Sequence, residues 1–356
     1  MLTAGSHIGD APSSLNPEQL VLFQAHTRRS FAAVVDQALA DDADLILIAG
    51  GLFARSEPGL DDIRFASQCL KRAREAGIVS IALDEADEAA TDGTGIAFLE
   101  ELGLLAAVRP GGLAHTRTVQ VAGLTLEIGS ASAMNHVEPA ADRSFLRIAL
   151  SIDAEALESR ETAADVIVLG NRPEPGQRRL GDAFVICPGW SAPSVTERRT
   201  ESGFAVIDLD HEGVIGAEFR ELAGVAPVVV SFSAADLVDR DPAAAIRERL
   251  ATLIGEAPLV TLEFEGEFSR ELWHRCRVGD LSRRASAAGT LVHVDLAQLR
   301  VSSGPAEAQP TRSFMVEVRR AAEQLSGSPD CDADTMARAR RAVVDGFRRR
   351  AGSHAA

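Results

Sequence analysis

Asp44-Leu45-Ile46-Leu47-Ile48-Ala49-Gly50-Gly51-Leu52-Phe53 decides the fold. Leu45 to Ala49 is an apolar run with no polar break, stopped by two glycines. A short run of this kind suits a strand buried on both faces. Upstream, Gln24 to Ala40 carries Phe31, Val34, Val35 and Leu39 at helical spacing. Downstream, Asp61 to Ala76 does the same with Ile63, Ala66, Cys69, Leu70 and Ala73, and Gly77 supplies the stop. A second strand is predicted at Ile78 to Leu83. The first part of the chain therefore reads as α/β.

Further strands are predicted at Thr118–Val121 and Leu124–Ile128, joined around Ala122-Gly123, and at Phe145–Leu150, Val166–Leu169 and Phe184–Cys187. Phe204–Leu209 and Val214–Glu218 flank Asp210-His211-Glu212-Gly213, a hairpin turn with glycine at the left-handed position. Strands linked first by helices and later by turns predict a mixed two-sheet sandwich over residues 1–224. Residues 225–303 read as a small α+β cap domain. Its strands fall at Val228–Phe232, Leu259–Phe264 and Thr290–Val294, and its helices at Pro242–Ile254 and Ser269–Cys276. Residues 304–356 begin with a Gly/Pro/Ser-rich linker. Two amphipathic helices come next, one carrying Phe314, Val318 and Leu325 and the other Val343 and Phe347. Two such helices bury little area alone, so they need a surface to pack on.

The 356 residues are 46% apolar and 25% charged, enough for a large core, which excludes a disordered chain. No apolar run approaches the ~20 residues that cross a bilayer. The opening MLTAGSHIGD lacks the basic and apolar regions of a secretory leader. Four scattered cysteines form no CxxC pair, so a reducing, cytoplasmic setting is expected. Residues 1–224 hold 18 Lys+Arg against 34 Asp+Glu, a net of −16 that equals the charge of the whole chain. Such a surface repels phosphate backbones, so nucleic acid could be met only through a local basic patch or a metal.

Four stretches, in order, resemble the calcineurin-like metallophosphoesterases, in particular the SbcD-type (YhaO-like) branch of DNA double-strand-break repair exonucleases. They are Gly5-Ser6-His7-Ile8-Gly9, the run ending Gly50-Gly51-Leu52-Phe53 with Pro58 beyond, Asp84-Glu85-Ala86-Asp87 after a strand, and Asp165 to Pro173 followed by Pro188-Gly189-Trp190. Glu197 or Glu201 and Gly203-Phe204 complete the last of these. The resemblance covers nearly the whole chain. It implies a four-layer β-sandwich flanked by helices, then a cap and a helical tail. It also implies a pair of divalent cations, usually manganese, that activate water against a phosphodiester.

The departures from that pattern bear on function. Gly5 stands where the family has its first Asp, and Gly51 where an Asp bridges both ions. Asp84-Glu85 stand near the Asn-His pair, and Asn171-Arg172-Pro173 replace the last His-x-His. The family's mid-domain His has no counterpart near Leu150-Ser151-Ile152. Only His7 is retained. Glycine offers no ligand, and Arg172 would add positive charge where cations should sit. Trp190 and Arg172 are expected to fill the emptied cleft.

Three readings are open. The first is a catalytically inactive or strongly impaired scaffold with no catalytic residue and no cofactor, partnered by an SbcC-type coiled-coil, SMC-like ATPase. The second is an active manganese-dependent exonuclease using His7, Asp10, Asp84, Glu85 and Asp87. The third is a homodimeric structural protein without a DNA role. The acidic run from Asp84 also reads as a solvated loop, and Asp10 as a turn or cap residue. Arg270, Arg275, Arg277, Arg283 and Arg284, with Trp273 and His274 among them, could contact duplex DNA, although Glu267, Glu271 and Asp280 interrupt them. In the resemblance, Phe314, Val318, Leu325, Val343 and Phe347 would dock on the ATPase; packing on the chain's own cap or on a second copy is the alternative. No membrane contact is expected.

Overall fold

Leu45 to Ile48 is buried on both faces because it lies between two different layers. Leu45 and Leu47 point at a second sheet, while Ile46 and Ile48 point at helices. The computed structural model describes residues 1–13, 15–85, 94–110, 116–134, 145–152, 163–170, 172–192, 194, 202–222, 227–255, 257 and 259–302. The expectations for Asp87, Asn171, Glu197, Glu201 and the 304–356 segment (Phe314, Val318, Leu325, Val343 and Phe347) fall outside these residues.

Along the chain, the sandwich strands are β1 (Leu2–Thr3), β2 (Leu45–Ile48), β3 (Val79–Leu83), β4 (Ala106–Val108), β5 (Arg117–Val121) and β6 (Leu124–Ser130). They continue with β7 (Leu146–Ser151), β8 (Val166–Leu169), β9 (Gly176–Leu180), β10 (Ala183–Cys187), β11 (Gly203–Asp210) and β12 (Gly213–Glu221). The first sheet has the order β12-β11-β1-β2-β3-β4, and the second β5-β6-β7-β8-β10-β9. Strands β1 to β4 run parallel, and the β11–β12 hairpin is added antiparallel to β1. In the second sheet β6, β7, β8 and β10 are parallel, with β5 and β9 antiparallel at its edges.

Between the sheets lie Leu45, Leu47, Ile81 and Leu83, facing Leu126, Ile128, Ile148 and Val166. Helices α1 (Pro17–Ala40) and α2 (Leu60–Glu75) cover the first sheet with Phe31, Val34, Val35, Ala66 and Leu70. Helix α3 (Gly95–Glu101) adds Leu99 there. On the far side, the short α4 (Ala131–Met134) sets Met134 against Ala149, Ile167 and Val185. The helix–sheet–sheet–helix layering expected from the sequence is present. No helix among the described residues is long and apolar enough to cross a membrane.

Residues 227–302 form a third sheet from β13 (Val228–Ser233), β14 (Leu259–Ser269), β15 (Leu291–Asp295) and β16 (Leu299–Ser302). All its pairings are parallel, so this block is α/β rather than the expected α+β. Its core centres on Phe264, stacked on Phe232 at 5.8 Å and met edge-on by Trp273 at 5.0 Å. Trp273 is therefore half-buried against this core, although sequence placed it among the arginines.

Helix α1 begins two turns earlier than its apolar spacing suggests. Asn16 makes a capping box with Gln19, and Pro17 occupies the first turn, where its missing N–H costs nothing. These added turns join the third sheet to the sandwich. Phe23 packs with Leu259 and Leu291, and the buried Gln19 Nε2 donates to Ser282 Oγ (2.8 Å) and to the Val292 carbonyl (3.2 Å). Phe23→Ala should cost about 3–5 kcal/mol, the usual loss for emptying a buried aromatic site. Urea unfolding of the full chain measures this, and a loss below about 1 kcal/mol would mean that α1 is not the joint.

Candidate functional site

Parallel β1, β2 and β3 bring their C-terminal ends to one edge of the sheet, the usual place for a ligand in an α/β fold. Ala4 to His7 leave β1 there, Ala49 to Gly51 leave β2, and Asp84-Glu85 leave β3. Hydrogen bonding continues past the strand ends. Gly5, His7 and Ile8 donate their N–H groups to the carbonyls of Gly50 (3.1 Å), Gly51 (2.7 Å) and Leu52 (3.0 Å). On the other flank Ser191 and Ala192 donate to Ala4 (2.9 Å) and Gly5 (3.2 Å), while the Ser6 and Ser191 hydroxyls lie 2.8 Å apart. Residues 4–8 are thus held between 50–52 and 191–192.

This stitching lays Trp190 over Gly5. A Cβ on Gly5 would sit 2.3 Å from Trp190 Cδ1 and 2.4 Å from Cγ, far inside van der Waals contact. A Cβ on Gly51 would lie 3.0 Å from Gly5 Cα and 3.2 Å from His7 Cε1. Both glycines hold left-handed backbones, with φ of 57° and 63°, which side-chain-bearing residues rarely adopt. Gly5 therefore lacks a carboxylate and also lacks room for one, while at Gly51 a side chain would be tight and its backbone strained. Trp190 N–H donates to the Pro173 carbonyl (3.2 Å), and its indole meets the His7 ring edge-to-face at 5.0 Å and 80°. Arg172, expected to help fill the cleft, is exposed and contributes its carbonyl to the Cys187 thiol.

The remaining candidate residues have protein partners. Burial lowers the His7 pKa, opposed by the Asp10 carboxylate, so the imidazole is neutral at pH 7. Asp10 closes a turn: its N–H donates to the His7 carbonyl (3.0 Å), and its Oδ1 accepts from Ala11 N–H (2.7 Å). Glu85 accepts the Gly51 N–H at 2.7 Å. Desolvation pushes its pKa up, the Gly51 bond opposes this, and neighbouring Asp84 adds to the rise. Asp84, only 3% exposed, accepts from Thr94 Oγ1 (3.1 Å) and pairs with Arg109 Nε at 3.4 Å. Arg109 also pairs with Glu100 (2.9 Å), which holds Arg117 at 2.9 Å. Sequence reasoning missed Arg109, because three-residue β4 is too short to show a period and gives no local cue to the role of the residue after it.

Beside this corner a cleft of about 180 Å³ is lined by Gly51 to Ser56, Asp84, Glu85 and Thr94. Among the described residues, no group of three or more His, Cys, Asp or Glu side chains stands where it could hold a metal ion. A hard cation pair needs several anionic or imidazole ligands to replace its hydration shell. Gly5, Gly51 and the indole lying over Gly5 do not fit one. Far from this corner, Arg270, Arg275, Arg277, Arg283 and Arg284 are all exposed. Arg275 donates to the Arg240 carbonyl, Arg283 pairs with Asp280, and Arg277 takes the left-handed link between the helices Arg270–Cys276 and Val278–Ala287.

No protein-family model and no curated protein matches the sequence. Among solved structures, the chain is similar to TT1561 of Thermus thermophilus, at 11% identity and a TM-score of 0.34 over 55% of this chain and 94% of that one. It is similar to an archaeal phosphodiesterase at 13% identity and a TM-score of 0.26, over 46% of this chain and 76% of the other. Zinc-complexed Vps29 from Entamoeba histolytica gives 11% identity and a TM-score of 0.30, over 60% and 87%. Similarities this low transfer no ligand, activity or residue role.

Gly5→Asp should destabilise the chain by about 2–4 kcal/mol through clash and backbone strain. Because the clash is with the indole, adding Trp190→Ala should lose at least about 1 kcal/mol less than the two single changes together. Strict additivity would show that Trp190 does not occupy this space. A pH series tests His7. Between its lowered folded pKa and its ordinary 6.5, the unfolded chain takes up a proton that the folded one refuses. Stability therefore falls as pH drops through that window and levels off below it. In His7→Gln this part of the slope should vanish, and an unchanged slope would mean that His7 titrates normally.

Proposed function

We propose that this chain is a catalytically silent, or strongly impaired, relative of the SbcD-type nucleases that works by binding. It would be a scaffold subunit of a DNA-processing complex containing an SbcC-type SMC-like ATPase. The observation that carries the proposal is the Trp190 indole in the space that a side chain at Gly5 would need. Metal-assisted phosphodiester hydrolysis requires ions that clamp the attacking and leaving oxygens. A corner built of two glycines, a neutral imidazole and an indole supports no such clamp. Glu85 and Asp84, the nearest carboxylates, are bonded to Gly51 N–H and to Thr94 with Arg109. The order and spacing of the degenerate motifs support the choice of branch, and with it the ATPase as partner through residues 304–356. Any DNA contact would fall to the exposed arginines of the third-sheet block, since the −16 charge of residues 1–224 repels phosphate.

Calorimetry with Mn²⁺ on the full chain should show no two-ion binding, and linear duplex DNA should remain intact. Cleavage that survives stringent purification, depends on Mn²⁺ and disappears in His7→Ala would defeat the silent reading in favour of an active nuclease. Co-expression with an SbcC-type coiled-coil ATPase should give a complex that deletion of residues 310–356 abolishes. A stable homodimer that ignores the ATPase would instead support a purely structural role.

A further inference from the structure

The opposite end of the sandwich, where β1, β2, β6 and β7 begin, is open. A groove of about 410 Å³ lies there between the sheets, within the range of ordinary binding pockets. Its floor is the packed inter-sheet core, where Leu45, Leu47, Leu126 and Ile148 are buried, and the half-buried Leu124 stands nearer its mouth. Ile215 of β12 stands at its side, 67% exposed. Asp41, Asp42, Asp44 and Asp208 also line the groove, around the buried Met1 amino group that donates to the Leu45 carbonyl (2.7 Å) and is attracted by Asp44, Asp208 and Asp41. No arginine, lysine or histidine side chain lines it. Arg220 engages Asp41 from outside. Among the described residues no ion pair engages Asp42, Asp44 or Asp208.

We propose that this groove docks a segment of a partner protein that inserts one or two large apolar side chains and carries Lys or Arg beside them. Two features select this occupant. The charged side chains of the rim are all carboxylates, and burial lowers the pKa of the Met1 amine among them to about 6, so the rim complements a basic flank and rejects an acidic one. The groove also adjoins β12, the last strand of its sheet, whose outer edge pairs with no described strand and so offers backbone donors and acceptors to a polypeptide. A small amphiphile could use the cavity but not that edge. The docking surface lies at the N-terminal ends of the parallel strands and the Gly5–Trp190 corner at their C-terminal ends, so the two can be occupied independently.

Titration calorimetry on the full chain tests the proposal with synthetic peptides. A short amphipathic peptide of leucine and arginine should bind, with affinity falling as salt is raised. Its serine–arginine and leucine–glutamate counterparts should each bind at least about tenfold more weakly. The triple change Asp42→Asn, Asp44→Asn and Asp208→Asn should cost about tenfold, and Ile215→Ser should weaken binding in the same direction. Asp61→Asn with Glu75→Gln, two exposed charges elsewhere, should leave it unchanged. These are surface substitutions, and a matching melting temperature for each confirms folding. Equal binding to the triple variant, equal loss in the distant control, or binding of decylamine but not of the peptide would overturn the assignment.

Discussion

The hydrogen bonds that hold residues 4–8 between 50–52 and 191–192 are the constraint on which the candidate site depends. They extend the parallel pairing of β1 and β2 beyond the strands and fix the backbones of Gly5 and Gly51 within contact distance. With the main chain so placed, the indole of Trp190 closes the corner from above. A side chain at Gly5 would need a different backbone and a displaced indole, and one at Gly51 would press on the Gly5 backbone and on His7. The corner is therefore defined by close backbone approach rather than by missing ligands alone.

Charge is arranged consistently with this. Groups that could have faced a metal instead face the protein. His7 is kept neutral by burial, Glu85 accepts a backbone N–H, and Asp84 belongs to an interior network with Thr94, Arg109, Glu100 and Arg117. Hydrogen bonds from Ala107, Arg117 and Arg109 outweigh burial at Glu100 and hold its carboxyl below the usual range. Pairing offsets part of the desolvation cost of these charges, and stripping one partner would leave the other buried and uncompensated, which is expensive. The acidic excess remains on the outer surface, where it favours basic partners over phosphate.

Much of the layering could be read from the sequence because burial on two faces leaves a pattern. Leu45 to Ile48, Val166 to Leu169 and the stripes of α1 and α2 all show it. β9 is a polar edge strand, Gly-Gln-Arg-Arg-Leu, and is defined only by its pairing with β10. The early start of α1 was written in Asn16-Pro17-Glu18-Gln19, a cap signal that apolar spacing alone overlooks. The parallel direction of the third sheet is set by which edge each crossover returns to, which no local periodicity records. At the site, the glycines were visible as departures from a motif. That Trp190 rather than Arg172 takes the space comes from the turn after β10, a long-range contact with no signature near residue 172.

The most direct measurement is anomalous diffraction from crystals of the full chain grown in millimolar Mn²⁺. The account predicts no anomalous peak beside His7 and an indole lying on Gly5. Two peaks about 3.5–4 Å apart in that corner, the spacing of a catalytic ion pair, with Trp190 swung away, would contradict it.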